Sequence, residues 1–148
     1  MKISTKGIYG LRAMLDLAVN SAGDHVTLKS IAERQDISEN YLEHVFSALR
    51  KAGLIASIKG SQGGYVLAAM PEAMTVGEIL RALEGDLTII DEKHTLKNKN
   101  NAFEHCISTK VWDTINESIA SVVDSITLGD LVQEYKRYKG ENAFMYFI

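Results

Sequence analysis

The sequence predicts a mainly α-helical protein with one small β-hairpin. Several stretches repeat apolar residues at three- and four-residue steps, as in "IYGLRAMLDLAVNSA" (residues 8–22), and such spacing is typical of amphipathic helices. Two short β-favouring runs flank the glycine-rich "GSQGG" (residues 60–64), a pattern typical of a hairpin. With 148 residues, 46% hydrophobic and 24% charged, the chain is sized for one compact domain with an appended helix.

The first predicted element is a helix from about Ile8 to Ala22, which Gly23 ends. Its apolar side chains fall on one face, with two more beside it. The face comprises Ile8, Leu11, Leu15 and Ala18, flanked by Met14 and Val19.

Two further helices are predicted next, separated by only three residues. Thr27 is the expected N-cap of "LKSIAERQ", and Ser38 is the expected N-cap of "ENYLEHVFSALRKAG", which Gly53 ends. The short break "DIS" (residues 36–38) matches the spacing of a helix-turn-helix.

A hairpin and one more helix complete the first predicted domain, residues 1–86. The strands are Leu54–Lys59 and Tyr65–Ala68, and "TVGEILRALEGD" (residues 75–86) is a capped amphipathic helix. Because a helix, a helix-turn-helix and a hairpin occur in that order, we predict a winged helix-turn-helix.

The remainder is predicted as a loop and a helical C-terminal segment. Residues 87–107 are assigned to the loop, because "DEKHTLKNKNNAFEHC" (residues 91–106) has no apolar period. Residues 108–148 hold a long helix from about Ser108 to Val123, a short helix in "TLGDLVQEYKRY" and the tail "AFMYFI". The long helix needs an apolar partner, so we expect it to pair two copies through Val111, Trp112, Ile115, Ile119, Val122 and Val123.

Composition restricts the function classes. No apolar run approaches the roughly 20 residues that span a bilayer, and the N-terminus lacks a secretory pattern. A single cysteine, Cys106, excludes an internal disulfide, so we expect a cytoplasmic protein. The net charge is −3, but residues 1–65 carry +2 and residues 66–148 carry −5, which indicates a mildly basic face on the first domain.

The second helix of the helix-turn-helix carries candidate groups for reading DNA bases. Major-groove recognition uses polar side chains on the N-terminal turns of such a helix. Asn40 suits adenine or a phosphate, and Glu43, which only accepts hydrogen bonds, suits the cytosine amino group. The alternative is an ordinary solvated helix face. The candidates are Ser38, Glu39, Asn40, Tyr41, Glu43 and His44.

The hairpin tip carries candidate phosphate contacts. Glycines let the backbone approach DNA closely, Lys59 supplies a cation, and Ser61 and Gln62 supply hydrogen-bonding groups. The alternative is a plain β-turn. A nucleotide-binding loop is excluded, since neither G-x-x-x-x-G-K-S/T nor G-x-G-x-x-G occurs. The full set of expected backbone contacts is Lys2, Ser4, Thr5, Lys6, Arg50, Lys51, Lys59, Gly60, Ser61 and Gln62.

Five stretches together resemble the Rrf family of bacterial winged-helix regulators. They are "MKISTKGIYGLRAMLDLA", "LKSIAERQDISENYLEHVFSALRKAGLIASIKGSQGGYVL", "VGEILRALEG", "CISTKVWDTI" and "DSITLGDLV". The resemblance implies a homodimeric transcription factor that pairs through its long C-terminal helix. It also implies that residues 38–51 and the wing at residues 59–64 read a palindromic operator.

The resemblance raises two further expectations. Cluster-binding members hold an iron–sulfur centre with three cysteines, whereas this chain has only Cys106, so we expect no cofactor. An iron–sulfur or redox-sensing regulator of the same family that uses Cys106 stays open as an alternative. Members that repress cysteine metabolism lack these cysteines and end in an aromatic-rich tail with a terminal isoleucine, as here.

The tail also suggests a protein partner. Cysteine synthase accepts isoleucine-terminated tails in its substrate pocket, so Phe147 and Ile148 are candidates to dock there. The alternative is that the tail folds back on the dimer core. An enzyme is not predicted, because the four histidines and the cysteine form no evident catalytic constellation. A protein-interaction module without DNA affinity is the remaining alternative.

Overall fold

The predicted fold class, mainly α with a small β-hairpin, is confirmed. The computed structural model describes residues 1–90 and 101–146, apart from the side chains of residues 142–146. The elements are α1 (Thr5–Asn20), α2 (Leu28–Gln35), α3 (Glu39–Lys51), β1 (Ile55–Ile58), β2 (Gly64–Leu67), α4 (Val76–Glu84), α5 (Ala102–Ile107), a π turn (Ser108–Trp112), α6 (Asp113–Ser125) and α7 (Leu128–Tyr146). A 3₁₀ turn (Pro71–Ala73) precedes α4.

The four N-terminal helices and the hairpin enclose the main core. Thr27 caps α2 by accepting from the Ser30 amide, at 3.2 Å, and Ser38 caps α3 by accepting from the Tyr41 amide, at 3.3 Å. Both predicted caps are therefore confirmed. The largest fully buried side chains of this core include Phe46, Met14, Leu17, Ile31, Leu42, Leu49 and Ile79.

Helix α1 buries a face rotated from the predicted one. Ile8 is 51% exposed, whereas Ala13, Met14 and Leu17 are fully buried. A side chain at Gly10 would run into Leu83 of α4, so a glycine sits at this close helix contact. Leu11, Leu15 and Ala18 of the predicted face are partly buried against the same core, so the prediction is wrong at Ile8 and in the centre of the face.

The hairpin is antiparallel, with Ile55 opposite Leu67 and Ile58 opposite Gly64. Val26, before α2, adds one further bridge to this sheet. Its amide donates to the Tyr65 carbonyl at 2.9 Å and its carbonyl accepts from the Tyr65 amide at 2.8 Å. The hairpin is therefore tied to the start of the helix-turn-helix.

The expected loop over residues 87–107 is wrong at its end, because residues 102–107 form α5. The Asn101 side chain accepts hydrogen bonds from the amides of Phe103 (2.9 Å) and Glu104 (3.3 Å), which starts a helix that continues into α6. This cap was missed because the prediction used apolar spacing alone. Residues 91–100 lie outside the described part.

The predicted short last helix is also wrong in length, because α7 has 19 residues and reaches Tyr146. Its surface is polar, and Arg137 pairs with Glu134 and with Glu141, three and four positions away. Such pairs stabilise a helix that has little apolar period. Phe147 and Ile148 lie outside the described residues.

The long helix packs on the first domain through a second, smaller core. Ile119 and Val123 of α6 contact the buried Val76, Leu80 and Leu87. The Arg81 guanidinium donates to both Asp124 carboxylate oxygens, at 2.6 and 3.0 Å. Within residues 1–90 and 101–146, no helix is long and apolar enough to cross a membrane.

Candidate nucleic-acid interface

The N-terminal half of α3 and the hairpin border one open groove of about 450 Å³. Glu39 and Glu43 lie on its helix side, and Lys59, Gly60 and Ser61 lie on its hairpin side. The structure therefore brings together predicted base-reading residues and predicted phosphate contacts. The remaining lining residues are Thr27, Leu28, Lys29, Ser57, Ile58, Gly63, Gly64 and Tyr65.

The outward face of α3 is polar and accessible. Ser38, Glu39, Asn40, Glu43 and His44 are all exposed, while Leu42, Val45, Phe46 and Leu49 on the inner face are buried. The inner residues fix the helix by burying apolar area, so the outer polar groups are held at set positions.

Tyr41 differs from its neighbours, because it is half-buried. Its hydroxyl donates to Thr5 Oγ1 at 3.3 Å, and its ring packs edge-to-face on Tyr9 with centroids 6.0 Å apart. Tyr41 thus joins α3 to the start of α1, which is a structural role for a residue predicted to contact DNA.

The hairpin is held against α3 as well as against Val26. The Tyr65 ring packs edge-to-face on Phe46 of α3, with centroids 5.0 Å apart. Because Phe46 is fully buried, this contact fixes the distance between hairpin and helix. Helix and wing are therefore packed against each other through this aromatic contact.

Crowding by backbone carbonyls accounts for two glycines of the wing. A side chain at Gly63 would run into the Ile58 carbonyl, and one at Gly64 would run into the Val26 carbonyl. Gly60 differs, since it has φ +127° and open space around it, a conformation that favours glycine. The expectation that the tip is bare only for DNA contact is therefore incomplete.

The N-terminal arm is anchored by Glu84, the last residue of α4. One Glu84 carboxylate oxygen accepts from the Ser4 amide (2.8 Å), the Ser4 hydroxyl (2.6 Å) and the Gly7 amide (3.0 Å). These hydrogen bonds, foremost that of the Ser4 hydroxyl, lower the pKa of Glu84. Ser4 and Thr5 are thus engaged within the protein, while Lys2 is exposed and Lys6 is half-buried.

Three other predicted contacts do not line the groove. Arg50 and Lys51 are exposed at the C-terminal end of α3, roughly 16 Å along the axis from its start. There they suit the negative end of the helix dipole. Gln62 is exposed at the hairpin tip but lies outside the groove.

Sequence reasoning missed Lys29 and Ser57, which line the groove. Lys29 is exposed on the first turn of α2, and the first helix of a helix-turn-helix crosses the DNA backbone. That placement was available from the sequence once Thr27 had been identified as a cap. Lys29 therefore joins Lys59 as a cation at the groove.

The expected pairing stripe of the long helix divides into two faces. Ile119 and Val123 pack on α4, and Trp112 is half-buried, whereas Val111, Ile115 and Val122 are exposed. The exposed side chains continue N-terminally through Ile107 and through Phe103, which is 83% exposed. We call Phe103, Ile107, Val111, Ile115 and Val122 the exposed stripe. The four-residue steps from Phe103 to Ile115, followed by a seven-residue step to Val122, were the signal that the predicted loop obscured.

The described residues do not fit an iron–sulfur cluster. Cys106 is exposed on α5, not in a loop, and the part of the chain that the structure describes holds no group of three His, Cys, Asp or Glu side chains able to bind a metal. His94 lies outside that part. A cluster needs several thiolates, and this chain has one.

Comparison with known proteins agrees with this architecture. The relative CymR of Bacillus subtilis strain 168, an HTH-type transcriptional regulator, is 42% identical over 148 residues, the full length of both chains. The HTH-type transcriptional regulator IscR of Vibrio campbellii is 38% identical over 134 residues, 90% of this chain and 79% of that one.

Solved structures give the same result. The structure of CymR, described as the global cysteine regulator of B. subtilis, has a TM-score of 0.72 at 40% identity and covers 90% of this chain and 98% of its own. IscR of T. potens has a TM-score of 0.71 at 44% identity and covers 91% and 88%. The Rrf2 model, described as an iron-dependent transcriptional regulator, matches residues 3–134. The chain therefore belongs to the Rrf2 family of transcriptional regulators.

Proposed function

We propose that this chain is a cytoplasmic, homodimeric repressor that binds a palindromic operator and controls genes of cysteine and sulfur metabolism. The observation that carries this proposal is the single groove shared by α3 and the hairpin. The full-length similarity to CymR supports the choice of regulated genes. The relatives are transcriptional regulators, which agrees with a role other than catalysis.

The groove and the adjoining exposed face of α3, where Asn40 lies outside the groove lining, together offer the two kinds of chemistry that operator binding needs. Lys29 and Lys59 supply cations for phosphates, and such contacts set position without reading sequence. Asn40 and Glu43 supply base-reading groups on the exposed face of α3. Two carboxylates, Glu39 and Glu43, line the groove, and they favour exposed amino groups of bases over phosphates.

The exposed stripe supports pairing of two copies. Five large apolar side chains exposed along one helix are costly in water, and a second copy of the same stripe would cover them. A two-fold pair sets two recognition helices about one DNA turn, ~34 Å, apart. That arrangement matches a palindromic operator.

Operator binding is tested by fluorescence anisotropy on DNA obtained by sequence selection. Affinity should fall steeply with salt, because each phosphate contact releases counterions. Replacing Lys59→Gln should weaken binding to all sequences and lower the salt slope by about 1. Lys110→Gln is the control, since Lys110 is exposed on the long helix. This substitution should leave the DNA affinity and the salt slope unchanged. Salt-independent binding, or none, would favour a protein-interaction module.

The tail is proposed to bind cysteine synthase, because Phe147 and Ile148 supply apolar side chains that suit a substrate pocket. Calorimetry of cysteine synthase with the full chain should show a complex, and deletion of Ile148 should abolish it. An unchanged affinity after the deletion would rule out the proposed docking of the tail into cysteine synthase. It would not contradict the proposed DNA binding.

A further inference from the structure

A second cavity, of about 460 Å³, lies between α1, the end of α2 and α7, away from the groove. Its volume is within the range of small-molecule sites, roughly 300–1,000 Å³. It shares no lining residue with the groove. The lining residues are Arg12, Leu15, Asp16, Val19, Asn20, Arg34, Gln35, Tyr135 and Lys139.

The carboxylate in this cavity is already satisfied. Asp16 is only 5% exposed and accepts from the Arg34 guanidinium at 2.8 and 3.0 Å and from the Gln35 amide at 2.7 Å. Asn20 adds a hydrogen bond at 3.3 Å. Asp16 is therefore neutralised by Arg34 and contributes little attraction for a further cation.

Two cations of the cavity lining, Arg12 and Lys139, are not paired with a carboxylate in the described part of the chain. Arg12 lies over the Tyr9 ring at 5.0 Å, with one long contact of 3.5 Å to the Gln35 carbonyl. Lys139 lies 5.9 Å from the Tyr135 ring centre. Among the residues that the structure describes, neither forms an ion pair, so the cavity carries a local excess of positive charge.

The rest of the lining is apolar or aromatic. Leu15 and Val19 contribute aliphatic surface from α1, and Tyr135 contributes a ring from α7. A site that combines aliphatic and aromatic walls with a few convergent polar groups is typical of small organic ligands.

From this combination we propose that the cavity binds a small organic anion with an aromatic or branched apolar body. Its carboxylate lies between Arg12 and Lys139, and its body packs on Tyr135, Leu15 and Val19. The oxygens receive hydrogen bonds from the guanidinium and the ammonium group.

The position of the cavity gives such a ligand access to the DNA-binding unit. Arg34 and Gln35 are the last two residues of α2, and only residues 36–38 separate them from α3. An anion bound in the cavity would contact α1, α2 and α7 together, next to the turn that leads into α3. The regulatory consequence rests on the proposed operator binding, whereas ligand binding itself does not.

The charge requirement is tested with benzoate and benzamide, which share a shape but differ in charge. Amide resonances of ¹⁵N-labelled full-length protein are followed during titration with each compound at fixed ionic strength. We expect benzoate to give saturable shifts at residues of α1, α2 and α7, with an affinity about fivefold higher than that of benzamide. Equal affinities, shifts elsewhere only, or shifts that do not saturate would overturn the proposal.

Matched variants test the two cations. Arg12→Gln and Lys139→Gln should each weaken benzoate binding about threefold, and neither should change benzamide binding. Lys136→Gln removes an exposed cation of α7 that does not line the cavity, and it should leave benzoate binding unchanged. An equal loss in all three variants would show unspecific charge attraction and overturn the site.

The regulatory step has its own measurement. Operator affinity of the full chain is compared at zero and saturating benzoate, with benzamide as the control for neutral solute effects. A benzoate-specific change supports regulation through this cavity. An operator affinity that does not change would overturn the regulatory step, and a protein that binds no operator but still binds benzoate would contradict the proposed function alone.

Discussion

Glu84 caps helix α1 from outside that helix, because its carboxylate accepts from the Gly7 amide in the first turn at 3.0 Å. The Ser4 side chain makes no capping bond of its own, so the carboxylate at the end of α4 takes the place of an N-cap side chain and also accepts from the amide and hydroxyl of Ser4. A side chain at Gly7 would run into the same carboxylate, which explains the glycine there. The arm that carries Lys2 and Lys6 is thereby fixed by a residue nearly 80 positions away.

We predict that Glu84→Gln lowers the free energy of unfolding at pH 7 by about 1 kcal/mol, the usual cost of a lost helix cap. Because the folded-state pKa of Glu84 is lowered, its contribution is present above the ordinary value of 4.5 and is lost as the pH falls through the lowered pKa. Urea unfolding between pH 7 and pH 3.5 should show wild type and variant converging at the acid end.

Glu117→Gln is the control for this prediction, since Glu117 is an exposed carboxylate on α6. It should change stability little at any pH. A constant difference between wild type and Glu84→Gln across the pH range would show that the charge of Glu84 is not responsible.

The contact of α4 with the long helix gives a second prediction. A side chain at Gly77 would run into the Asp124 carboxylate and would approach the Arg81 guanidinium to 2.7 Å. Gly77→Ala should therefore displace the ends of the Arg81 and Asp124 side chains and lose an exposed ion pair worth up to about 1 kcal/mol, which offsets the gain in helix propensity from alanine. Urea unfolding measures the change.

Gly140→Ala is the matched control, because Gly140 lies in α7 with no atom within 4 Å of the added carbon. In open space, alanine stabilises a helix relative to glycine by about 0.5–1 kcal/mol. Gly77→Ala should therefore stabilise the protein less than Gly140→Ala does. Equal stabilisation by the two substitutions would show that the contact with Arg81 and Asp124 carries no cost.

Glu43 provides a prediction on specificity. Glu43→Gln keeps the shape but adds donors, so the preference for one base should relax by about 1–3 kcal/mol at a single operator position. Competition with single-base operator variants measures this effect. Glu33→Gln, an exposed position on α2 outside the groove, should leave the preference intact. An unchanged preference in Glu43→Gln would refute its base-reading role.

The exposed stripe provides a prediction on assembly. Ile115→Lys places a charge on the stripe and should weaken dimerisation more than tenfold, because burying an ammonium group without a partner is costly. Glu117→Lys places the same side chain two residues away, about 200° round the helix, and should have little effect. Sedimentation equilibrium distinguishes them. Equal dimerisation of both variants would place the interface elsewhere.

Local signals explain which parts of the fold were predictable. Thr27, Ser38 and Thr75 each begin a helix where the sequence predicts one, because a cap acts through its own neighbours. The buried Asp16 could not be predicted, since its partners Arg34 and Gln35 lie 18 and 19 positions away. Only the folded chain brings these polar groups together.

In the candidate site, as in the fold, local signals predicted some residues and long-range packing decided the others. The exposed polar face of α3 follows from its apolar period, and Lys59 follows from the hairpin. The inward role of Tyr41 depends on Thr5 and Tyr9, which approach it only through the packing of α1 on α3. Lys29, by contrast, follows from the Thr27 cap, which places it on the first turn of α2, and the prediction overlooked it.

The π turn at residues 108–112 has a consequence for the geometry of self-association. In an ideal α-helix, side chains spaced four apart drift by about 40° at each step, so a row of them winds slowly around the axis. A π turn rotates by less than 100° per residue, so it reduces this drift between Ile107 and Ile115. A single deletion in the turn would rotate Phe103 and Ile107 by about 100° relative to Ile115, and would divide the apolar surface of these side chains into two patches.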